Sequence, residues 1–251
     1  MGSVTNEKAP PATRVAQGRA LLDSAYSLKL SSKRILLMCL AQLNANENPS
    51  AHNGEFFISA TEYRKIFGGS QPKSSTDVRA GVEELYDASV RFLLPDDDEY
   101  EEGEMRWIFR REIHDEGKST AKHKLYFNPF VMPFMKELER GFAQYNLKDC
   151  SSLTSTNQIR LYEDLSLWRN TGWWNTTLDD FENRYQLSAS LTSRPAEFKR
   201  RFLDLAIAQI NTSTPLLISY SSEGRKFRFT IVDKKKAEKL GGVVAATADG
   251  E

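Results

Sequence analysis

Several residue types that would announce an enzyme or a metalloprotein are scarce in this chain of 251 residues. The two cysteines, Cys39 and Cys150, form neither a metal-ligand spacing nor a disulfide framework, and the composition suits a reducing compartment. Cys39 falls in an apolar run at 35–43 and is expected to be a buried thiol. The three histidines, His52, His114 and His123, share no metal spacing. No glycine-rich loop ends in Gly-Lys-Ser/Thr, so a phosphate cradle of that type is excluded. No apolar run approaches the roughly 20 residues needed to cross a bilayer. The opening MGSVTNEKAPPATR has no apolar secretion core, so a cytoplasmic protein without a membrane partner is expected. The run Asp96, Asp97, Asp98 lacks the spacing of a calcium loop and reads as a solvated hairpin tip. No cofactor, no metal and no catalytic residue is expected. Tyr162 and Tyr185 are conceivable nicking nucleophiles, but both lie on apolar helix faces without a histidine pair and read as core.

Net charge is also lacking, since 34 basic residues balance 34 acidic ones. The balance is global and not local. Residues 96–104 hold seven acids and no base. Residues 184–236 hold eleven Lys and Arg against four acids. Phosphate contact depends on the local field, so the basic segment is a candidate nucleic-acid surface. The plain alternative is a solvated face. The order of elements argues against that alternative.

That order is carried by hydrophobic period and cap residues. In the last quarter a short helix at 177–185 precedes a longer basic helix at about 194–211 and a hairpin at 216–232, the pattern of a winged helix. The same outline occurs earlier. A short helix is expected at 19–28, then an apolar helix at 33–43 capped by Ser31 or Ser32. A strand follows at 55–58, and a helix at 60–67 with Ser59 and Glu62 as a capping box. A further helix runs from Ser74 or Ser75 to about Ala88. Strands are expected at 90–94, 104–113 and 122–127, the last two as one long hairpin. A kinked helix capped by Asn128 covers 128–140, because Pro133 lies too deep to be free of cost. An extended piece at 142–145 and an apolar helix at 158–169 lead to the second repeat. The fold class is therefore α+β, two tandem winged-helix domains. Residues 1–17 and 237–251 read as flexible ends, 18–145 as the first domain and 146–236 as the second.

Within the basic helix, Phe198, Phe202, Leu205, Ala206 and Ile210 fall on one side of a helical wheel. Arg194, Glu197, Arg200, Arg201 and Asp204 fall on the other. Recognition helices read bases from such an outer face near their start. Arg200 and Arg201 would each fork onto guanine, Glu197 would accept from cytosine N4, and Arg194 belongs to the same base-reading set. Lys199, near the apolar edge, would reach a phosphate. In the wing, Phe227, Phe229 and Ile231 share a face, leaving Lys226 and Arg228, with Arg225 at the turn, to clamp the backbone. In the first block Lys73 and Arg79 are weaker backbone contacts.

Motifs through the chain resemble those of the plasmid replication initiators of theta-replicating bacterial plasmids. The matching pieces are AYSL at 25–28, IFG at 66–68, TDVR at 76–79, NPFVMPF at 128–134, RLYE at 160–163, ENRYQL at 182–187, EFKRRFL at 197–203, and Ile210-Asn211 with Thr214-Pro215. The likeness runs in order from about residue 20 to 232. It implies monomers that bind direct repeats (iterons) in double-stranded origin DNA and help open it. It implies dimers that bind an inverted repeat at the gene's own promoter and repress it. The host replication initiator, helicase and chaperones would be partners, in a bacterial cytoplasm on plasmid DNA. The acidic 96–103 and the segment 115–123 depart from the pattern. The first domain is expected to dimerise through the strands Arg106, Trp107, Ile108, Phe109 and Lys124, Leu125, Tyr126, Phe127, whose edge would otherwise stay exposed. A winged-helix transcription repressor without a replication role, and a rolling-circle nicking enzyme, are the rival readings.

Overall fold

A computed structural model describes residues 13–46, 48, 51–93, 99, 101–115, 121–139 and 141–239. The hairpin tip at 96–98 and the two chain ends beyond 13 and 239 lie outside the described residues. No described helix is long and apolar enough to cross a membrane.

The chain begins with β1 (Arg14–Gly18) and α1 (Arg19–Asp23), followed by α2 (Leu30–Ala45). β2 (Glu55–Ser59), α3 (Ala60–Phe67) and α4 (Gln71–Asp87) complete a helical trio on a strand. Four strands follow: β3 (Ser89–Leu93), β4 (Glu102–Arg106), β5 (Ile108–His114) and β6 (Lys122–Phe127). β2, β6 and β5 form one antiparallel sheet with β6 in the middle, while β3 and β4 form a separate ribbon. α5 (Met132–Lys136) leads to β7 (Phe142–Asn146), which pairs with β1 so that Val15 faces Tyr145. Residues expected to be a flexible end are thus a strand from Arg14 onward, with Val15, Ala16 and Gln17 buried.

Local chemistry explains most boundaries. The Ser59 hydroxyl accepts from the Glu62 amide at 3.2 Å and donates to its carboxylate at 3.1 Å, which caps α3. Gly68 ends that helix at φ 76°, a conformation that glycine adopts without strain. α4 starts earlier than expected, because Ser70 is its N-cap and Pro72 is accommodated in the first turn. α2 is capped at Lys29, and Ser32 turns inward to bond Glu84 on α4. α4 crosses α2 closely at Gly81, where a Cβ would fall 2.7 Å from Ile35 Cδ1. The expected helix at 128–140 shrinks to α5. Asn128 instead closes a turn, accepting the Phe130 amide at 3.0 Å and donating its own to the Trp107 carbonyl at 2.8 Å.

The expected strand 104–113 is two strands in two sheets, broken at Trp107. Its indole is fully buried, edge-on to Tyr26 at 5.3 Å, and this anchor turns the chain from the β3–β4 ribbon into the wing. Trp107, Ile108, Leu125 and Phe127 are therefore core residues and not a docking strip. Nor is 124–127 an edge, since β6 is hydrogen-bonded on both sides.

The rest of the chain repeats the plan. After a short turn of helix at Leu147–Cys150, α6 (Thr156–Leu167) and the unforeseen β8 (Trp173–Thr177) precede α7 (Leu178–Tyr185), where Thr177 and Asp180 form a capping box. The short α8 (Ala189–Thr192) leads into one long helical rod. It comprises α9 (Pro195–Phe198), a wide turn at Lys199–Leu203, and α10 (Asp204–Ser213). β9 (Leu216–Glu223) and β10 (Lys226–Asp233) form the wing, joined at Gly224 with φ 59°. β10 lies between β8 and β9, and α11 (Lys234–Lys239) follows. The helix extends the chain's order past 236, where a flexible end was expected. One apolar core runs through both domains.

Candidate DNA-binding interface

Apolar packing determines which face of the long rod is displayed. Phe198, Phe202, Leu203, Ala206, Ile207 and Ile210 are buried against the wing and α7, with Phe181 5.3 Å from Phe198. Arg194, Arg200, Arg201, Asp204, Leu205, Ala208 and Thr212 are exposed on the opposite side. Leu205 was expected in the core and is instead 61% exposed. The wide turn is the reason. The Asp204 amide bonds the Lys199 carbonyl five residues back, so one extra residue enters the turn and the downstream core stripe is rotated.

The structure brings the expected base-reading residues to one surface. Arg194 is the N-cap of α9 and Pro195 its first residue. Glu197 accepts from Arg200 at 2.9 Å. That bond, reinforced by the nearby charges of Arg201 and Arg194, holds the Glu197 carboxyl below its ordinary range. Glu197 is thus ionised and a splint for Arg200. Arg194 and Arg201 have no ion pair among the described residues.

The wing residues divide. Lys199 leans to the wing and donates to Ser222 at 3.3 Å, so rod and wing meet at a basic seam. Lys226 is exposed beside the wing turn on the outer sheet face. Arg228 lies on that same outer face, its guanidinium 4.9 Å from the Trp173 ring. Arg225 is half-buried and tied to neighbouring elements. It pairs with Asp179 on α7, at 3.1 Å through Nε, and donates to the Thr192 carbonyl at 3.2 Å. Its placement makes it a brace between wing and α7, in competition with the phosphate contact expected of it.

In the first domain Lys73 and Arg79 are exposed on α4, with Lys73 paired to Asp77 at 3.4 Å. The exposed basic residues Arg64 and Lys65 of the preceding α3 were not singled out by sequence pattern. Of the dimerisation set, Arg106 and Phe109 are exposed and Lys124 and Tyr126 half-buried on the sheet's outer face. Lys124 pairs with Glu55 at 2.7 Å.

Around α6 lies a charged network that the sequence did not disclose. Lys33 of α2 and Glu163 of α6 are fully buried and pair at 2.8 Å. Tyr26 and Tyr145 complete their hydrogen bonds at 2.7 and 2.9 Å. Burial disfavours the Lys33 ammonium, but Glu163 overcomes it and its pKa is raised. Arg160 donates to the Ser24 and Tyr26 carbonyls at 2.8 and 3.0 Å and stacks 3.9 Å over the Tyr26 ring. Arg184 pairs with Asp164 at 2.5 Å and donates to the Leu22 carbonyl at 2.8 Å. Asp164 also accepts from the Tyr185 hydroxyl at 2.6 Å. Arg184, counted in the basic segment, is therefore not displayed. Burial, then the Asp164 charge, pushes the Tyr185 phenol up, and burial, then Asp149, does the same to Tyr162. Neither hydroxyl is presented as a nucleophile. Among the described residues no cluster of His, Cys, Asp and Glu is arranged to hold a metal ion.

Residues 14–166 match the family described as Initiator Replication protein, WH1, and residues 177–231 match Initiator Rep protein, WH2. The chain belongs to this replication initiator family. The initiator is 34% identical over 233 residues to an uncharacterized 27.6 kDa protein of Escherichia coli, covering 88% of this chain and 95% of that one. An uncharacterized 6.6 kDa protein of Escherichia coli is 40% identical over 55 residues, 22% of this chain and 96% of its own. Among solved structures, the Pi initiator protein in complex with iteron DNA superposes with a TM-score of 0.69 at 18% identity, covering 90% of this chain and 99% of that one. Domains 2 and 3 of RctB superpose at 0.50 with 10% identity, covering 81% of each chain. These structures share the fold of the initiator, two winged helices in tandem.

Proposed function

We propose that this initiator binds direct repeats in a plasmid origin as a monomer, with both winged helices on one face of the duplex. The observation that carries the reading is the outer face of the rod: Arg194, Arg200 and Arg201 are displayed together on a helix fixed against a wing. A forked guanidinium there matches guanine O6 and N7 in the major groove. The bridged seam of Lys199 and Ser222 continues that surface toward the phosphates. The Pi initiator's iteron complex and the shared architecture support the same reading. Origin opening would then draw on binding and bending energy, without bond chemistry.

The same protein would repress its own promoter as a dimer joined through the first domain. Among the described residues β5 is paired on one side alone, and that edge with the exposed Phe109 and Ile113 supports a second copy as the partner. A two-fold dimer requires a two-fold DNA site, hence an inverted repeat. A footprint over the DNA flanking the gene tests both statements. Protection of tandem direct repeats, with one protomer per repeat by sedimentation, is expected. Protection of a promoter alone would instead make the protein a repressor without a replication role.

A further inference from the structure

Leu205 is a large apolar side chain displayed in the middle of a charged recognition surface. Solitary exposed leucines are ordinary on protein surfaces. This one is displayed by a specific backbone device. In an uninterrupted α-helix the row that starts at Phe198 and Phe202 would continue through Leu205 into the core. The wide turn closed by the Asp204 amide and the Lys199 carbonyl adds one residue. Leu203 takes the core position, fully buried, and Leu205 emerges at 61% exposure. Wide turns of this kind are rare and concentrate at functional sites.

The neighbours of Leu205 define what it would touch. One turn before it on the same face is Arg201, and after it come Ala208 and Thr212, all exposed. Asp204 is drawn aside to the wing, accepting from the Tyr220 hydroxyl at 2.7 Å. Beyond Arg201, then, the face is apolar and small, which permits close approach to a base edge. In the major groove only thymine carries a methyl group, at C5, and it is read by apolar contact. Four residues of helix advance about 6 Å, roughly two base-pair steps.

We propose that Leu205 is a specificity-determining residue that packs on a thymine C5-methyl about two base pairs from the pair read by Arg201. This rests on the reading of the rod as the DNA-recognition helix.

The test uses the full chain and a duplex bearing one origin repeat, with each thymine in turn replaced by deoxyuridine, which removes only the methyl. A scrambled duplex is the reference. At one or two positions the replacement is expected to weaken wild-type binding about three- to fivefold, the size of one buried methyl. Leu205→Ala should bind the unmodified repeat more weakly by a similar factor and be indifferent to uracil at those positions. Leu205→Met, which keeps an apolar tip, should retain the preference. If Leu205→Ala responds to every uracil as wild type does, or fails to fold, the assignment to Leu205 is overturned while DNA recognition by the helix stands. If wild type does not distinguish the repeat from the scrambled duplex, the reading of the helix itself is overturned, and Leu205 with it.

Discussion

Two sets of charged side chains, one around α6 and one on the long rod, are built for opposite ends. Around α6, Lys33, Glu163, Arg160, Asp164 and Arg184 are buried, and each has a carboxylate, carbonyl or hydroxyl partner. On the rod, Arg194, Arg200 and Arg201 face solvent with Glu197 as the neighbouring carboxylate. The residue types are the same and the surroundings decide the role. A buried charge must be matched, because desolvation is expensive and a missing partner leaves the cost uncompensated. An exposed excess of cations costs little and remains available to an anionic partner. The buried set thus ties α1, α2, α6 and α7 together, and the exposed set is left free for the duplex that the proposed function assigns to it.

The strongest way to break this comparison is to remove one buried partner. Glu163→Ala leaves the Lys33 ammonium without its carboxylate and should destabilise the fold by about 3–5 kcal/mol. Urea unfolding measures this, and a loss below about 1 kcal/mol would show that the network tolerates an unmatched charge. Arg201→Ala should behave in the reverse way. Its stability should stay within about 0.5 kcal/mol of wild type, while discrimination between repeat and scrambled duplexes falls by about 1–3 kcal/mol. Equal losses on the two duplexes would make Arg201 a phosphate clamp.

Between these extremes is Asp233, which pairs with Arg169 at 2.7 Å where β10 meets α6's end. Burial raises its pKa, but Arg169 and the amides of Lys235 and Lys236 lower it further, and the net shift is downward. A carboxyl depressed on folding adds stability above its unfolded value, near ~3.9, and that stability is lost as pH falls through the lower folded value. Asp233→Asn should therefore cost about 1–2 kcal/mol at neutral pH and flatten the acid side of the stability curve; an unchanged acid slope would rule the pair out as its source. The smallest effect is expected at the wing. Lys226→Ala should weaken binding to all duplexes alike and lower the salt slope by roughly one unit. An unaltered slope would mean that Lys226 does not meet the backbone.

Local signals were legible and distant ones were not. The Ser59 cap, the stop at Gly68 and the two-stranded wing at 216–233 follow from nearest-neighbour chemistry, and the structure has them. The break at Trp107 does not, because a strand's alternation does not reveal which sheet each half will join. Arg184 was counted with the basic segment, and nothing in the sequence marked Arg160 as buried. Their carbonyl partners at Leu22, Ser24 and Tyr26 are more than a hundred residues away in the chain. The wide turn was hidden because the stripe Phe198, Phe202, Ala206, Ile210 reads as a helix with or without one added residue. That single omission put Leu205 on the wrong face.

The pairing of β1 with β7 has a consequence for how the molecule is made. Val15 leaves the ribosome 130 residues ahead of its partner Tyr145, which follows only after α2, α3, α4 and the strands β2 to β6 have been synthesised. At 5–20 residues per second, the strand waits on the order of ten seconds for a partner. The first domain therefore closes from its last strand back to its first, at the moment when the second domain begins to emerge.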